Sequence, residues 1–217
     1  MITFIILFIP ILLWLLFIIC RQKIPVNPKL YFSILVFSLL AVFAAVVSET
    51  ILISVIEKIP TENYAISGSI IPAVIEEIFK ITFFYISILT ANYLTTQQTK
   101  QTDTEYKLKI FAVLFALFFA TFENIAYAIN DPEQIIIRCM TATVFHAGVA
   151  VFYADAIRKK NKRITIVASL ILLHITYNLT RLNTLLFFTV HLSILFFCIL
   201  HIIKLIKKPP CLKEDGS

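Results

Sequence analysis

The sequence predicts an all-α fold, a polytopic transmembrane helix bundle of about seven spans. Of 217 residues, 59% are hydrophobic, and the mean hydropathy is +0.91. Only three are glycine, too few for a loop-rich or disordered chain. Most ionisable residues fall between long apolar runs rather than along one helix face. A soluble domain of this size could not hide that much apolar surface. Lipid accommodates it, on the condition that each span satisfies its own backbone hydrogen bonds.

A crossing takes roughly 20 apolar residues over about 30 Å of hydrocarbon. The first run, Ile2 to Cys20, has no basic region before its apolar core and no small-residue cleavage site, so it reads as a retained span rather than a secretion signal. The second, Leu30 to Ile56, and the third, Ala65 to Leu94, exceed the need, which leaves room for tilt. Ile110 to Ile129 and Ile135 to Ile157 follow. The sixth, Ile164 to Leu179, is short, and the seventh is Leu185 to Ile203. The connections are short except the polar stretch Thr95 to Lys109. Residues 1–206 read as one membrane domain, and 207–217 as a short, charged, proline-interrupted cytoplasmic tail.

Basic residues set the expected orientation. Arg21, Lys23 and Lys29 follow the first span, Lys100, Lys107 and Lys109 the third, and Arg158, Lys159, Lys160, Lys162 and Arg163 the fifth. Lys204, Lys207, Lys208 and Lys213 end the chain, while the alternate side carries only Lys58, Arg138 and Arg181. The positive-inside rule then puts the N-terminus outside and the C-terminus in the cytoplasm of a cell-membrane protein. The net charge of +6 is spread over these loops, so it is no nucleic-acid footprint. Cys20, Cys139, Cys198 and Cys211 form no C-x-x-C pair and read as apolar fillers and one tail thiol. No internal repeat supports an inverted-repeat transporter plan, and no lipidation motif is present.

Ionisable groups in mid-span are expensive, roughly 2.5–3.5 kcal/mol on insertion scales. Glu49 lies in the second span, Glu76, Glu77 and Lys80 in the third, Glu123 in the fourth, His146 in the fifth, His174 in the sixth and His191 in the seventh. At about 1.5 Å per residue from the outer ends, Glu76 and Glu77 lie roughly 16–18 Å deep, Glu123 about 9 Å, His146 about 16 Å and His174 about 8 Å. All fall in the outer half, from four helices, which points to one shared polar site. Lys80 is four residues from Glu76 and three from Glu77, so it reaches either carboxylate. Adjacent Glu76 and Glu77 point about 100° apart, which suits different jobs. His174 and Asn178 share a face, an arrangement in which the amide orients the imidazole. Asn124 follows Glu123, with Tyr127 four residues on. Pro72 offers a kink outside the Glu76–Glu77 pair.

The segment Ile75-Glu76-Glu77-Ile78-Phe79-Lys80 resembles the E-E-x-x-K motif of the PrsW family of intramembrane proteases, whose wider superfamily holds the type II CAAX-prenyl proteases. Phe119 to Asn124 resembles that family's F-x-x-x-E-N motif. Arg138 to His146 is similar to its third helix with an internal histidine, and Leu173 to Asn178 to its final H-x-x-x-D/N motif. The motifs occur in family order over roughly Ile66 to Thr180, which marks a catalytic core of about 66–180. Asn178 stands where aspartate is frequent, which removes one metal ligand. The resemblance implies an intramembrane endopeptidase acting on a single-pass membrane protein, such as an anti-sigma factor cut near its outer membrane border.

Peptide hydrolysis needs a base for water, a donor for the oxyanion and a proton route to the leaving amine. Glu76 or Glu77 is the candidate base. His174 and His146 would bind the water or the oxyanion, and Glu123 would tune a histidine. Lys80, Asn124 and Asn178 are supporting residues. No Ser–His–Asp set is visible, and without H-E-x-x-H a standard zincin is excluded. No cofactor is fixed by the sequence. A divalent metal such as zinc, on His146, His174, Glu77 and Glu123, is left open, with metal-free glutamate–histidine chemistry placed first. The rivals are a proton-coupled transporter or channel using the acids as a relay, and a non-catalytic scaffold. Blander readings apply elsewhere: Glu49 as interhelical glue or part of an ion path, His191 and His201 as packing or interfacial residues, Asp155 as an interface charge. Beyond the bilayer and the substrate no partner is implied, and the sequence does not set an oligomeric state.

Overall fold

The computed structural model describes residues 2–22, 24, 27–56, 64–91, 101–130, 133, 135–180 and 187–207, and these are helical apart from turns and connecting residues. Helix α1 (Ile2–Leu16) runs into a wider π-type turn at Phe17–Arg21. It is followed by α2 (Pro28–Ile56), α3 (Tyr64–Thr90) and α4 (Gln101–Asn130). Next come α5 (Ile135–Ala150), the short α6 (Tyr153–Arg158), α7 (Arg163–Thr180) and α8 (Leu192–Lys207), the last preceded by a π-type turn at Phe187–His191.

Among the described residues, five helices are long and apolar enough to cross a membrane: Pro28–Ile56, Thr104–Ile129, Ile135–Arg158, Lys160–Thr180 and Thr189–Lys207. Ile6–Arg21 is a shorter apolar helix. Helix α3 has the length, at 27 residues, but carries Glu76, Glu77 and Lys80 in its middle. The protein is a multi-pass membrane protein with an all-helical fold.

Helix α4 is the centre of the bundle. Every residue from Ile110 to Leu117 is buried, as expected of a helix that is apolar all round and packed on all sides. Polar side chains lock its neighbours to it. The Trp14 indole donates to the Ile110 carbonyl at 3.0 Å and the Thr121 hydroxyl to the Leu7 carbonyl at 3.1 Å, which fixes α1 along α4. At the start of α4, the Tyr106 hydroxyl donates to the Leu205 carbonyl of α8 at 3.0 Å. Helix α2 packs on α3 and α4, α3 on α7, and α5 on α4 and α8. The α5–α8 contact depends on Gly148, where an added Cβ would lie 2.7 Å from the Cys198 Cα, the close approach that small residues permit between helices in lipid.

Two boundaries differ from expectation. The polar stretch after the third run is already helical from Gln101, with a Glu105–Lys109 ion pair of 2.8 Å at i,i+4 supporting the first turns of α4. The fifth run is broken at Val151–Phe152, where Phe152 N–H bonds Val149 O at 3.0 Å before α6 resumes. The break matters because it delivers Tyr153. Lys23, Lys58, Lys100, Arg181, Lys208, Lys213, Cys211 and the tail beyond Lys207 lie outside the described residues.

Candidate active site

One turn of α3 organises the site. Glu76, Glu77 and Lys80 occupy adjacent and i,i+3/i,i+4 positions, so one ammonium can serve both carboxylates. Lys80 Nζ lies 2.7 Å from Glu77 Oε1 and 3.2 Å from Glu76 Oε2, with its side chain fully buried. The ammonium also sits 4.8 Å from the centroid of the Phe119 ring.

The two glutamates face different surroundings. Glu77 is wholly buried. It accepts from the Tyr153 hydroxyl at 3.1 Å and from His174 Nδ1 at 2.9 Å, besides Lys80. Because Nδ1–H points at the carboxylate, the Nε2 lone pair of His174 faces the other way, 3.9 Å from Glu76 Oε2. Glu76 has fewer partners and lines two cavities, of about 220 and 230 Å³.

Helices α4 and α5 supply the opposite wall. His146 Nε2 lies 3.0 Å from Glu123 Oε2, while His146 Nδ1 lies 3.0 Å from Lys80 Nζ. The ammonium can only donate, so Nδ1 accepts and Nε2–H donates to Glu123. The Arg138 guanidinium reaches Glu123 Oε1 at 2.6 Å and Asn124 Oδ1 at 3.1 Å, and stacks 3.5 Å from the Tyr127 ring centroid. Asn124 in turn donates to Thr143 at 3.2 Å. Ligand atoms of Glu76, Glu123 and His146 all lie within 4.8 Å of one another, so this trio could hold a metal ion. Three carboxylates (Glu76, Glu77 and Glu123) face two cations, Lys80 and Arg138, which leaves one negative charge with the imidazoles neutral.

Residues 27–203 match the family model described as PrsW family intramembrane metalloprotease. The chain belongs to this family. No curated protein and no solved structure matches it. A PrsW-family chain is an intramembrane protease, and in this one a buried Glu–Glu–His group sits among the helices that carry the family motifs.

All eight residues singled out from the PrsW motifs fall in or beside this group. Asn178 lies on the wall of the 230 Å³ cavity, and its amide donates to the Ser69 carbonyl at 3.2 Å, while Glu77 holds the His174 ring. Three further residues join them. Arg138 had been read as a loop charge, although it opens a motif segment. Tyr153 gave no signal, since a tyrosine inside an apolar run usually marks packing. Glu49, expected as interhelical glue or part of an ion path, lines the 220 Å³ cavity with Glu76 and Glu123. The remaining groups lie apart. His191 contacts Thr180 at 3.1 Å and stacks on Tyr177. His201 packs at a tilt against Phe152 and Phe197, which stack on each other. Asp155 pairs with Lys109 at 3.3 Å and Lys159 at 3.1 Å. Cys20, Cys139 and Cys198 are free.

Proposed function

We propose that the protein is an endopeptidase that hydrolyses a peptide bond of a membrane-anchored, single-pass substrate within the bilayer. The observation that carries this is the meeting of Glu76, Glu123, His146 and His174, from α3, α4, α5 and α7, on the walls of one cavity beside a sealed Glu77–Lys80–Tyr153 network.

The donor set fits a divalent cation. Glu76, Glu123 and His146 offer three protein ligands, the number found in catalytic zinc sites with an open position, and the unbalanced negative charge favours a cation. Holding one requires a ring lone pair of His146 in place of the proton it shares with Glu123. When bound, such an ion polarises a carbonyl and lowers the pKa of water. The family description points the same way, whereas the sequence reading placed metal-free chemistry first. The two differ in one observable, the metal content of the purified protein.

The chain's own side chains supply the rest. Glu77 orients His174, so that its Nε2 accepts a hydrogen from a water lying towards Glu76. Glu76, which lines both cavities as Glu123 does but lacks the Arg138 and His146 donors that hold Glu123, takes the water's proton as the water oxygen bonds to the scissile carbonyl carbon. Without an ion, His146 Nε2–H and the Tyr127 hydroxyl are the donors at hand for the oxyanion; with one, the Tyr127 hydroxyl is the donor that remains. Glu76 then passes the proton to the amide nitrogen as the carbon–nitrogen bond breaks, releasing an acid and an amine.

Depth follows from the helices. Lys109 and Lys159 meet through Asp155, and Lys109 and Lys204 line one cavity, so basic residues of α4, of the C-cap of α6 and of α8 gather at one end. Glu123 lies about 21 Å along α4 from Lys109. By the positive-inside rule that basic end is cytoplasmic, and cleavage falls in the outer half of the cell membrane. The test compares membrane-protein N-termini in cells carrying the wild type and Glu76→Gln. Termini that disappear in the variant identify substrates. Identical sets in both would overturn the reading, and proton flux in liposomes that depends on Glu76 would put a transporter in its place.

A further inference from the structure

The 220 Å³ cavity between α2, α3 and α4 has features that hydrolysis alone does not require. Its walls are mostly apolar, with Val42, Ala45, Val46 and Phe119 among them, and its polar groups are Tyr127 and three carboxylates, Glu49, Glu76 and Glu123. Among the described residues no basic one lines it. Glu76 and Glu123 each have a cation within ion-pair distance, Lys80 (shared with Glu77) and Arg138. Glu49 differs, since no ion pair to it occurs among the described residues and its Oε1 is buried without a hydrogen-bond partner. A carboxylate in such surroundings is costly until a donor or a cation reaches it.

The cavity is also open to the outside of the bundle. From Val46 to Ile56 no residue of α2 is buried, and Ala126 and Tyr127 on α4 are exposed. A water takes about 30 Å³ of liquid, so the space admits several waters or one long side chain. The entrance is apolar, the interior is acidic, and the reacting carboxylate forms part of the wall.

We infer that this cavity is a substrate subsite in which Glu49 selects a lysine or arginine side chain close to the scissile bond of a transmembrane segment entering between α2 and α4. The stem of such a side chain packs against the valines and Phe119, and its cation meets the unbalanced carboxylate. The inference rests on the protease reading, so its test separates the two.

The probes are labelled single-pass peptides with a leucine–alanine span, identical except for lysine, glutamine or glutamate scanned through successive positions. Their binding to the protein in lipid nanodiscs is measured beside their cleavage, for the wild type, Glu49→Gln and Glu49→Lys. The expected result is at least tenfold tighter binding of lysine over glutamine peptides at one or two adjacent positions. Glu49→Gln erases that preference and Glu49→Lys turns it towards glutamate. A wild type without preference overturns the inference, as does a preference untouched in both variants. An equal fall in cleavage of all peptides in Glu49→Gln, with binding unchanged, also overturns it by placing Glu49 in the chemistry. Lysine-selective binding without any cleavage leaves the subsite standing and sinks the protease reading. Cleavage without lysine selectivity does the reverse.

Discussion

Glu76 and Glu77 are neighbours in the chain, yet they belong to two different regions. Behind α3, Glu77, Lys80 and Tyr153 form a sealed set, and with His174, whose Nε2 edge faces the cavity, three donors converge on one carboxylate. In front, Glu76, Glu123, Glu49 and Tyr127 border cavities and leave acceptor capacity unused. The difference teaches how a membrane protein keeps reactive acids. One carboxylate is committed to holding cation and imidazole in place, and the other is left able to exchange a proton. A roughly 100° turn of helix between adjacent residues is enough to separate the two tasks.

Removing each carboxylate in turn tests the two assignments most directly. Glu76→Gln should lower cleavage of a single-pass substrate by about 10²–10⁴-fold, the usual scale for a general base, with little change in the unfolding midpoint in detergent. Glu77→Ala should destabilise the fold by about 3–5 kcal/mol, because it leaves the buried Lys80 ammonium short of its closest counter-charge. If Glu76→Gln melts earlier and Glu77→Ala does not, the assignment of sealed and open sides is wrong. Metal content sharpens the same contrast. The purified wild type should carry about one divalent cation per chain, the number one catalytic site takes. The combined Glu76→Ala and Glu123→Ala variant should carry none by elemental analysis. Wild-type protein that cleaves while metal-free would reject the ion and leave the glutamate–histidine chemistry.

Which parts of this could be read from sequence depends on the range of the contact. The Glu76–Glu77–Lys80 cluster is local, so helical spacing alone placed the ammonium against both acids. The apolar runs located the helices to within a turn or so, except where side chains override composition, as the Glu105–Lys109 pair does at the start of α4. The contacts of Tyr153 and Glu49 are of another kind. Tyr153 meets Glu77 from 76 positions away, and it does so only because the chain breaks at Val151–Phe152. Glu49 differs from any lone intramembrane acid only through the cavity it shares, which no spacing encodes. Asn178 shares a helix face with His174, but facing the same way did not make them partners, since the nearest acceptor for the amide is on α3.

Tyr153→Phe probes the sealed side more gently. The change removes one hydroxyl from a buried carboxylate that keeps Lys80 and His174, so the cost should be about 1–3 kcal/mol in stability. Cleavage should fall by about 10–100-fold, the range for lost outer-shell partners. Its bearing on the comparison lies in what should not change, namely metal content and peptide binding, since both belong to the open side. A Tyr153→Phe protein that loses its metal would show the two regions to be one network.

The smallest effect is expected on the outer face of α2. Leu52 is 43% exposed on a stretch where no residue is buried, and in a membrane such a side chain meets lipid tails as apolar as itself. Leu52→Ala should therefore move stability by no more than about 0.5 kcal/mol, the usual bound for surface positions. Cleavage of a soluble peptide small enough to diffuse into the cavity should also be unchanged. Cleavage of a membrane-spanning substrate reports on the entrance. If a helical segment slides in between α2 and α4, trimming Leu52 alters its contacts and shifts KM about two- to threefold while kcat stays constant, since uniform binding is lost and transition-state contacts are not. A change in kcat instead would mean that the free end of α2 moves with the chemistry, and the open side would then have to be redrawn to include it.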